Sequence, residues 1–212
     1  MANNMTEEKT VQPYEIGELD QYLFGNGTHY ELYKKMGAHL VTVDGVKGVY
    51  FAVWAPHAKS VSVIGEFNEW DLNADMMQRH DPMGIYTKFV PGAKEGQLYK
   101  FCIETQNGAK IDKADPFANY AELRPGNASR ITDISNLKWS DSSWMKKREK
   151  WDEKTNPMSI YEVHMGSWMR HPGREDEGFY TYREFAERIT EYVKDMGYTH
   201  VELMGISEYP YD

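Results

Sequence analysis

Trp70 stands in GEFNEWD, where glycine and asparagine mark a turn directly after a strand-like stretch. A large aromatic at such a turn faces solvent unless something covers it. An indole face suits the C–H face of a sugar ring, because it offers broad apolar contact with little conformational freedom to lose. The competing role for Trp70 is packing against a neighbouring domain. Glu162 and His164 alternate in SIYEVHMGSW, so both project to one face of a strand. A carboxylate and an imidazole at that spacing can move protons or form a buried hydrogen-bonded pair, and structural support is the expectation. Trp168, Arg170 and the loop HPGREDEG follow, and there a solvated charged loop is expected. The seven histidines show no HExxH-type spacing, so no metal is expected. Cys102, between Phe101 and Ile103, can form neither an internal disulfide nor a cysteine-based zinc site, and it reads as a structural thiol.

The surrounding composition excludes several classes. With 24 Lys plus Arg against 33 Asp plus Glu, the net charge is -9, and neither half of the chain is basic. That argues against nucleic acid as a partner. A hydrophobic share of 41% supports a real core and excludes disorder throughout. The 212 residues allow one or two domains. No apolar run approaches the ~18 residues of a membrane span, and MANNMTEEKT is too polar for a secretory signal. The expected location is cytoplasmic, with no membrane partner.

Four period-two stretches must position Trp70. Val49, Phe51 and Val53 alternate with Tyr50, Ala52 and Trp54; SVSVIGEF, GIYTKFV and the run from Leu98 to Glu104 follow. Trp54 reads as packing. Tyr99, Phe101 and Ile103 share the inward face of the last run, which directs Lys100 outward. Short strands separated by Gly, Pro, Asn and Asp describe an antiparallel sandwich over residues 37–137. Residues 1–36 read as a lead-in, loose to about residue 20, with a turn at Gly25-Asn26-Gly27 followed by a short helix. Residues 138–157, with Trp139, Trp144 and Trp151 among charges, read as a linker ending at Asn156-Pro157. Residues 158–212 then change pattern. An apolar strand from Ser159 to Met165, a helix from Thr181 to Met196 capped by Thr181, Glu184 and Gly197, and a strand from His200 to Ile206 predict a parallel βαβ unit. Fifty-five residues fall far short of a parallel barrel of ~250, so an open strand edge and an uncovered apolar helix face are expected.

Four motifs in order, GVYFAVWAPHAKSVSVIGEFNEWD, VPGAKEGQLYKF, SIYEVHMGSW and MGYTHVELMGISEYP, resemble the N-terminal part of bacterial 1,4-alpha-glucan branching enzymes. The resemblance covers about residues 22–212. It implies an Ig-like carbohydrate-binding module of family 48, then strand 1, helix 1 and strand 2 of a family 13 glycoside hydrolase (β/α)8 barrel. The implied reaction is a retaining transfer: an α-1,4 link is cut and the chain moves to a 6-hydroxyl, with two carboxyl groups ~5 Å apart. No cofactor is implied. The catalytic carboxylates follow later barrel strands, so none is expected up to Asp212 and the 212-residue chain alone is expected to be inactive.

In related modules the tryptophan of F-N-x-W stacks on sugar, and Trp70 matches it; Lys100 matches the lysine of Y-K-F. Ala109 and Lys110 stand where a second stacking tryptophan follows the Asn107-Gly108 turn, and Tyr209 replaces the histidine of Glu-His-Pro. The implied partners are α-1,4-glucan or glycogen, and either the remainder of the barrel or a self-associating copy. Two alternatives stay open: a non-catalytic glucan-binding module, and the start of a debranching or trehalose-releasing hydrolase.

Overall fold

The computed structural model describes residues 12–173 and 178–206. The expectations for residues 1–11, the middle of the HPGREDEG loop and Tyr209 lie outside the described residues. The chain divides into two compact units, one running to Leu137 and the other beginning at Lys138.

In the first unit the strands are β1 (Gly37–Val43), β2 (Val46–Trp54), β3 (Ser60–Gly65), β4 (Gln78–His80), β5 (Ile85–Pro91), β6 (Leu98–Glu104), β7 (Lys110–Lys113) and β8 (Ser129–Arg130). They make two antiparallel sheets, one ordered β1-β2-β5-β4 and the other β3-β6-β7 with β8 beside β6. The alternation along β2 turns Val49, Phe51 and Val53 into a core shared with Val61 and Val63 of β3 and Tyr99 and Phe101 of β6. Each such side chain contributes about 1.5–3 kcal/mol when removed from water. At Gly48 a Cβ would lie 2.4 Å from the Val90 carbonyl oxygen, so only glycine permits β2 and β5 to approach there.

The opposite face of β2 is buried too, and this corrects the loose lead-in. Tyr50, Ala52 and Ile85 lie under Ile16, Met36, Tyr14, Phe24 and Leu32. Tyr14 and Ile16 carry no periodicity because they belong to an irregular segment laid across a sheet. The helix also falls elsewhere: α1 (Glu18–Gly25) precedes the Gly25-Asn26-Gly27 turn, and only a 3-10 turn, Leu32–Lys34, follows it. Asp20 explains the shift, since its carboxylate accepts the Gly17 N–H at 2.8 Å, while Gly27 at φ +68 stops the helix.

The buried Asp20 carboxylate also meets His29 Nε2 at 2.8 Å and Lys35 Nζ at 3.1 Å. Burial alone would raise its pKa, but the Gly17 N–H, His29 and Lys35 hold it below the usual carboxylate value. Asp20→Ala, which leaves the mostly buried Lys35 without its counter-charge, should destabilise the first unit by about 1–3 kcal/mol. Urea unfolding checks this; a loss under about 0.5 kcal/mol, the size of an ordinary surface substitution, would show that the cluster fastens nothing.

After β3 the chain turns back along that strand's free edge: Val63 N–H donates to Asp75 O at 3.0 Å and Met77 N–H to Val61 O at 2.9 Å. Directly afterwards, Gln78 to His80 pairs with β5 in the other sheet. One segment therefore borders both sheets.

The second unit holds α2 (Ser142–Arg148), β9 (Ile160–His164), α3 (Met165–Trp168), α4 (Tyr182–Asp195) and β10 (His200–Met204). The stretch 138–157 is therefore not plain linker. Its helix α2 is too short for a periodic signal and buries no residue. The strands β9 and β10 pair in parallel, Ile160 with His200. The α4 cap is reciprocal: Glu184 N–H reaches Thr181 Oγ1 at 3.3 Å and Thr181 N–H reaches the Glu184 carboxylate at 2.8 Å. Gly197 at φ +79 follows the helix end. Phe185 and Ile189 of α4 bury against Val163 of β9. No helix among the described residues is long and apolar enough to cross a membrane.

Candidate functional site

Each residue of FNEW does a separate job. Phe67 packs on the first unit's core, its ring centroid 5.5 Å from that of Phe51. Asn68 knits the turn: Oδ1 accepts the Gly65 N–H at 2.9 Å, and Nδ2 donates to Val63 O at 3.0 Å and Asp75 Oδ2 at 2.8 Å. Glu69 and Trp70 then both take left-handed backbone angles, φ +53 and +60. Each costs an L-residue about 1–2 kcal/mol, which the Asn68 bonds and the Trp70 N–H to Gly65 O bond (2.9 Å) offset. The outcome is a tryptophan 36% exposed on a closely held turn.

Lys100 is placed by the ladder between β3 and β6. Tyr99 and Phe101 point into the core, so Lys100 points outward, opposite Ile64. Gly65 pairs with Tyr99, and the same Gly65 carbonyl holds the Trp70 N–H. Register therefore brings Trp70 and Lys100 to one end of the ladder. A Cβ at Gly65 would lie 2.4 Å from Leu98 O, so this junction requires glycine.

Lys100 Nζ donates to Asn127 Oδ1, adding a polar residue that sequence reasoning missed. Asn127 follows Pro125-Gly126 and precedes the buried Ala128 and Ser129. A turn signal before a short inward-facing pair was the available clue. Beyond the Asn107-Gly108 turn, Lys110 Nζ donates to Asn73 Oδ1 at 3.2 Å. Cys102 is buried; burial and the neighbouring Asp112 push its thiol pKa up, which makes it unreactive.

Trp54 is half exposed and edge-on to Phe24 at 6.0 Å, with its indole N–H donating to Met83 O at 2.9 Å. On β9, Glu162 and His164 share a face, but both are exposed, which corrects the buried-pair reading; His164 Nδ1 meets Ser167 Oγ at 3.0 Å. Trp168 belongs to the second core rather than to a solvated loop, since its indole N–H donates to Tyr161 OH at 2.9 Å and its ring lies edge-on to Phe185. Arg170 stacks over Phe179 at 4.3 Å. No group of three His, Cys, Asp or Glu side chains among the described residues is arranged to hold a metal ion.

Residues 35–118, which include the strands and turn that carry Trp70 and Lys100, match the family described as carbohydrate-binding module 48 (isoamylase N-terminal domain). Over those residues the chain is similar to a family 48 carbohydrate-binding module. Over 197 residues, 93% of this chain, it is 57% identical to a 1,4-alpha-glucan branching enzyme of Butyrivibrio fibrisolvens. Over 209 residues, 97% of this chain, it is 50% identical to a branching enzyme of Rhodopirellula baltica. The chain spans 31% and 28% of those relatives, matching their N-terminal region. Among solved structures, a pullulanase from Bacillus acidopullulyticus superposes with a TM-score of 0.59 at 21% identity, covering 84% of this chain and 22% of that one. That likeness extends the fold, though not the chemistry, beyond the module.

Proposed function

We propose that this chain is the glucan-engaging N-terminal part of a 1,4-alpha-glucan branching enzyme acting in cytoplasmic glycogen synthesis. In this reading the module holds an α-1,4-glucan through Trp70 and Lys100, while β9, α4 and β10 open a (β/α)8 barrel. The reaction is a retaining transfer from an α-1,4 link to a 6-hydroxyl, with no cofactor, and its carboxylates lie outside this chain. The supporting observation is the turn Gly65 to Trp70, which holds an exposed indole on strained, hydrogen-bonded backbone at the ladder end that carries Lys100.

Maltoheptaose titration of the wild type, Trp70→Ala and Lys100→Ala tests it. One stacking platform without a second tryptophan should bind weakly. Stacking on aromatics is worth ~1–3 kcal/mol in nucleic-acid grooves, and a hydrated sugar face should fall near the lower end. Trp70→Ala should therefore weaken binding roughly five- to tenfold. Equal affinity for wild type and Trp70→Ala would assign the indole to domain packing.

A further inference from the structure

A concavity lies on the first unit, on the face of the β1-β2-β5-β4 sheet that points away from the sandwich core. Its volume is about 530 Å³, within the ~300–1,000 Å³ usual for small-molecule sites. Its origin is topological. The pairing of β4 with β5 begins only at Gln78 opposite Thr87, because residues 75–77 still border β3 in the other sheet. Beside Lys88 and Phe89 the sheet edge therefore lacks its neighbour, and a notch opens between Met76 and the N-terminal segment at Glu15 and Ile16.

The floor and walls are mixed. Tyr50 and Phe89, paired across β2 and β5, supply ring surface. Thr87, Gln78 and His80 supply hydroxyl, amide and imidazole, with His80 Nε2 at 2.7 Å from Thr87 Oγ1. Burial lowers the pKa of His80, so the ring is neutral near pH 7. Neither neighbouring charge dominates: Lys88 alternates with Thr87 and Phe89 and turns its ammonium to Asp75 at 3.8 Å, and the Glu15 carboxylate accepts the Gln12 N–H at 3.0 Å. A site without one dominant sign of charge, lined by aromatic surface and short polar groups, selects neither an anion nor a cation. It fits a neutral polyol that presents C–H faces to rings and hydroxyls to an amide and a threonine.

We infer that this notch is a second α-glucan subsite, taking one or two glucose units independently of Trp70. The choice of α-glucan rests on the function proposed above. The subsite is joined to the Trp70 turn by one loop, because Asp75, beside Met76 at the notch, also binds Asn68. A longer glucan reaching both places would gain from effective concentration.

The test follows backbone amides of the 15N-labelled 212-residue protein during maltotriose titration. Expected are two separable groups of shifts, one near Trp70 and Lys100 and one at Gln78, Thr87 and Phe89. The second group should persist with unchanged affinity in the Trp70→Ala, Lys100→Ala double variant. Gln78→Ala, an exposed position, should weaken that group about three- to tenfold by removing one hydrogen-bonding amide. Gln78→Trp should abolish it by filling the notch, while thermal melts confirm folding. Loss of both groups in the double variant would overturn the independent subsite, as would absence of notch shifts in the wild type. Notch shifts without Trp70 shifts would sink the Trp70 site and leave this one standing.

Discussion

Phe51→Ala should lower the unfolding free energy of the first unit by about 3–5 kcal/mol. Phe51 is fully buried, and its ring lies 5.1 Å from that of Tyr99 and 5.5 Å from that of Phe67. Truncation therefore removes transfer energy and aromatic contact at once, and it opens a cavity between two sheets that cannot collapse without bending both. Phe67 loses part of its seat, and the turn that carries Trp70 three residues on should loosen with it. Urea unfolding monitored by circular dichroism measures the first effect. A cost below about 1.5 kcal/mol, which is more typical of a volume-conserving swap, would contradict the shared core.

A second large effect concerns pH. Asp115 is buried, and burial raises its pKa from 3.8 to about 6, against the opposing Tyr99 hydroxyl and Phe117 N–H, which hydrogen-bond the carboxylate. Between about pH 4 and 6 the folded state keeps a proton that the unfolded chain has released. Stability should therefore fall as pH rises through this window. A shift of roughly two pH units at 1.36 kcal/mol each gives about 3 kcal/mol. The carboxylates of Asp20, Glu104 and Asp133 have lowered pKa values and act in the opposite sense, at the acid side of the window. Asp115→Asn should remove most of the decline from pH 4 to 7, because the amide oxygen can still accept the Phe117 N–H. Unfolding free energies at matched ionic strength decide it: an Asp115→Asn curve parallel to wild type would assign the decline to other groups.

What the sequence disclosed followed the strength of local signals. The α4 helix was legible because Thr181, Glu184 and Gly197 mark its ends and its period is sustained over fourteen residues. The inward residues of β2, β3 and β6 were legible from alternation. The strand β1 was not, although Asp44-Gly45 at φ +50 and +80 forms the hairpin turn that this dipeptide favours; its apolar residues Leu40 and Val41 fall on opposite faces, Leu40 exposed and Val41 partly buried, so no alternation shows. The strands β4 and β7, QRH and KIDK, are edge strands whose polar residues face water, so their pairing leaves no apolar imprint. The cover supplied by Tyr14 and Ile16 is tertiary, and no periodicity could announce it. Trp70 and Lys100 were found as separate motifs, whereas Asn127 required the fold, because 27 residues separate it from Lys100.

The segment bordering both sheets has a consequence for association between molecules. Sheet edges are templates on which a second chain can add strands. Residues 75–80 close one margin of each sheet with a single continuous piece, and the far margin of the β3-β6-β7 sheet is the charged, fully exposed KIDK of β7. The margin of the sandwich left with a long edge strand is β1, Gly37–Val43. In the second unit, β10 displays Val201, Leu203 and Met204 to solvent, so any tendency of this chain to aggregate should begin at β10, which exposes three apolar side chains where β1 exposes Leu40 alone among its large ones.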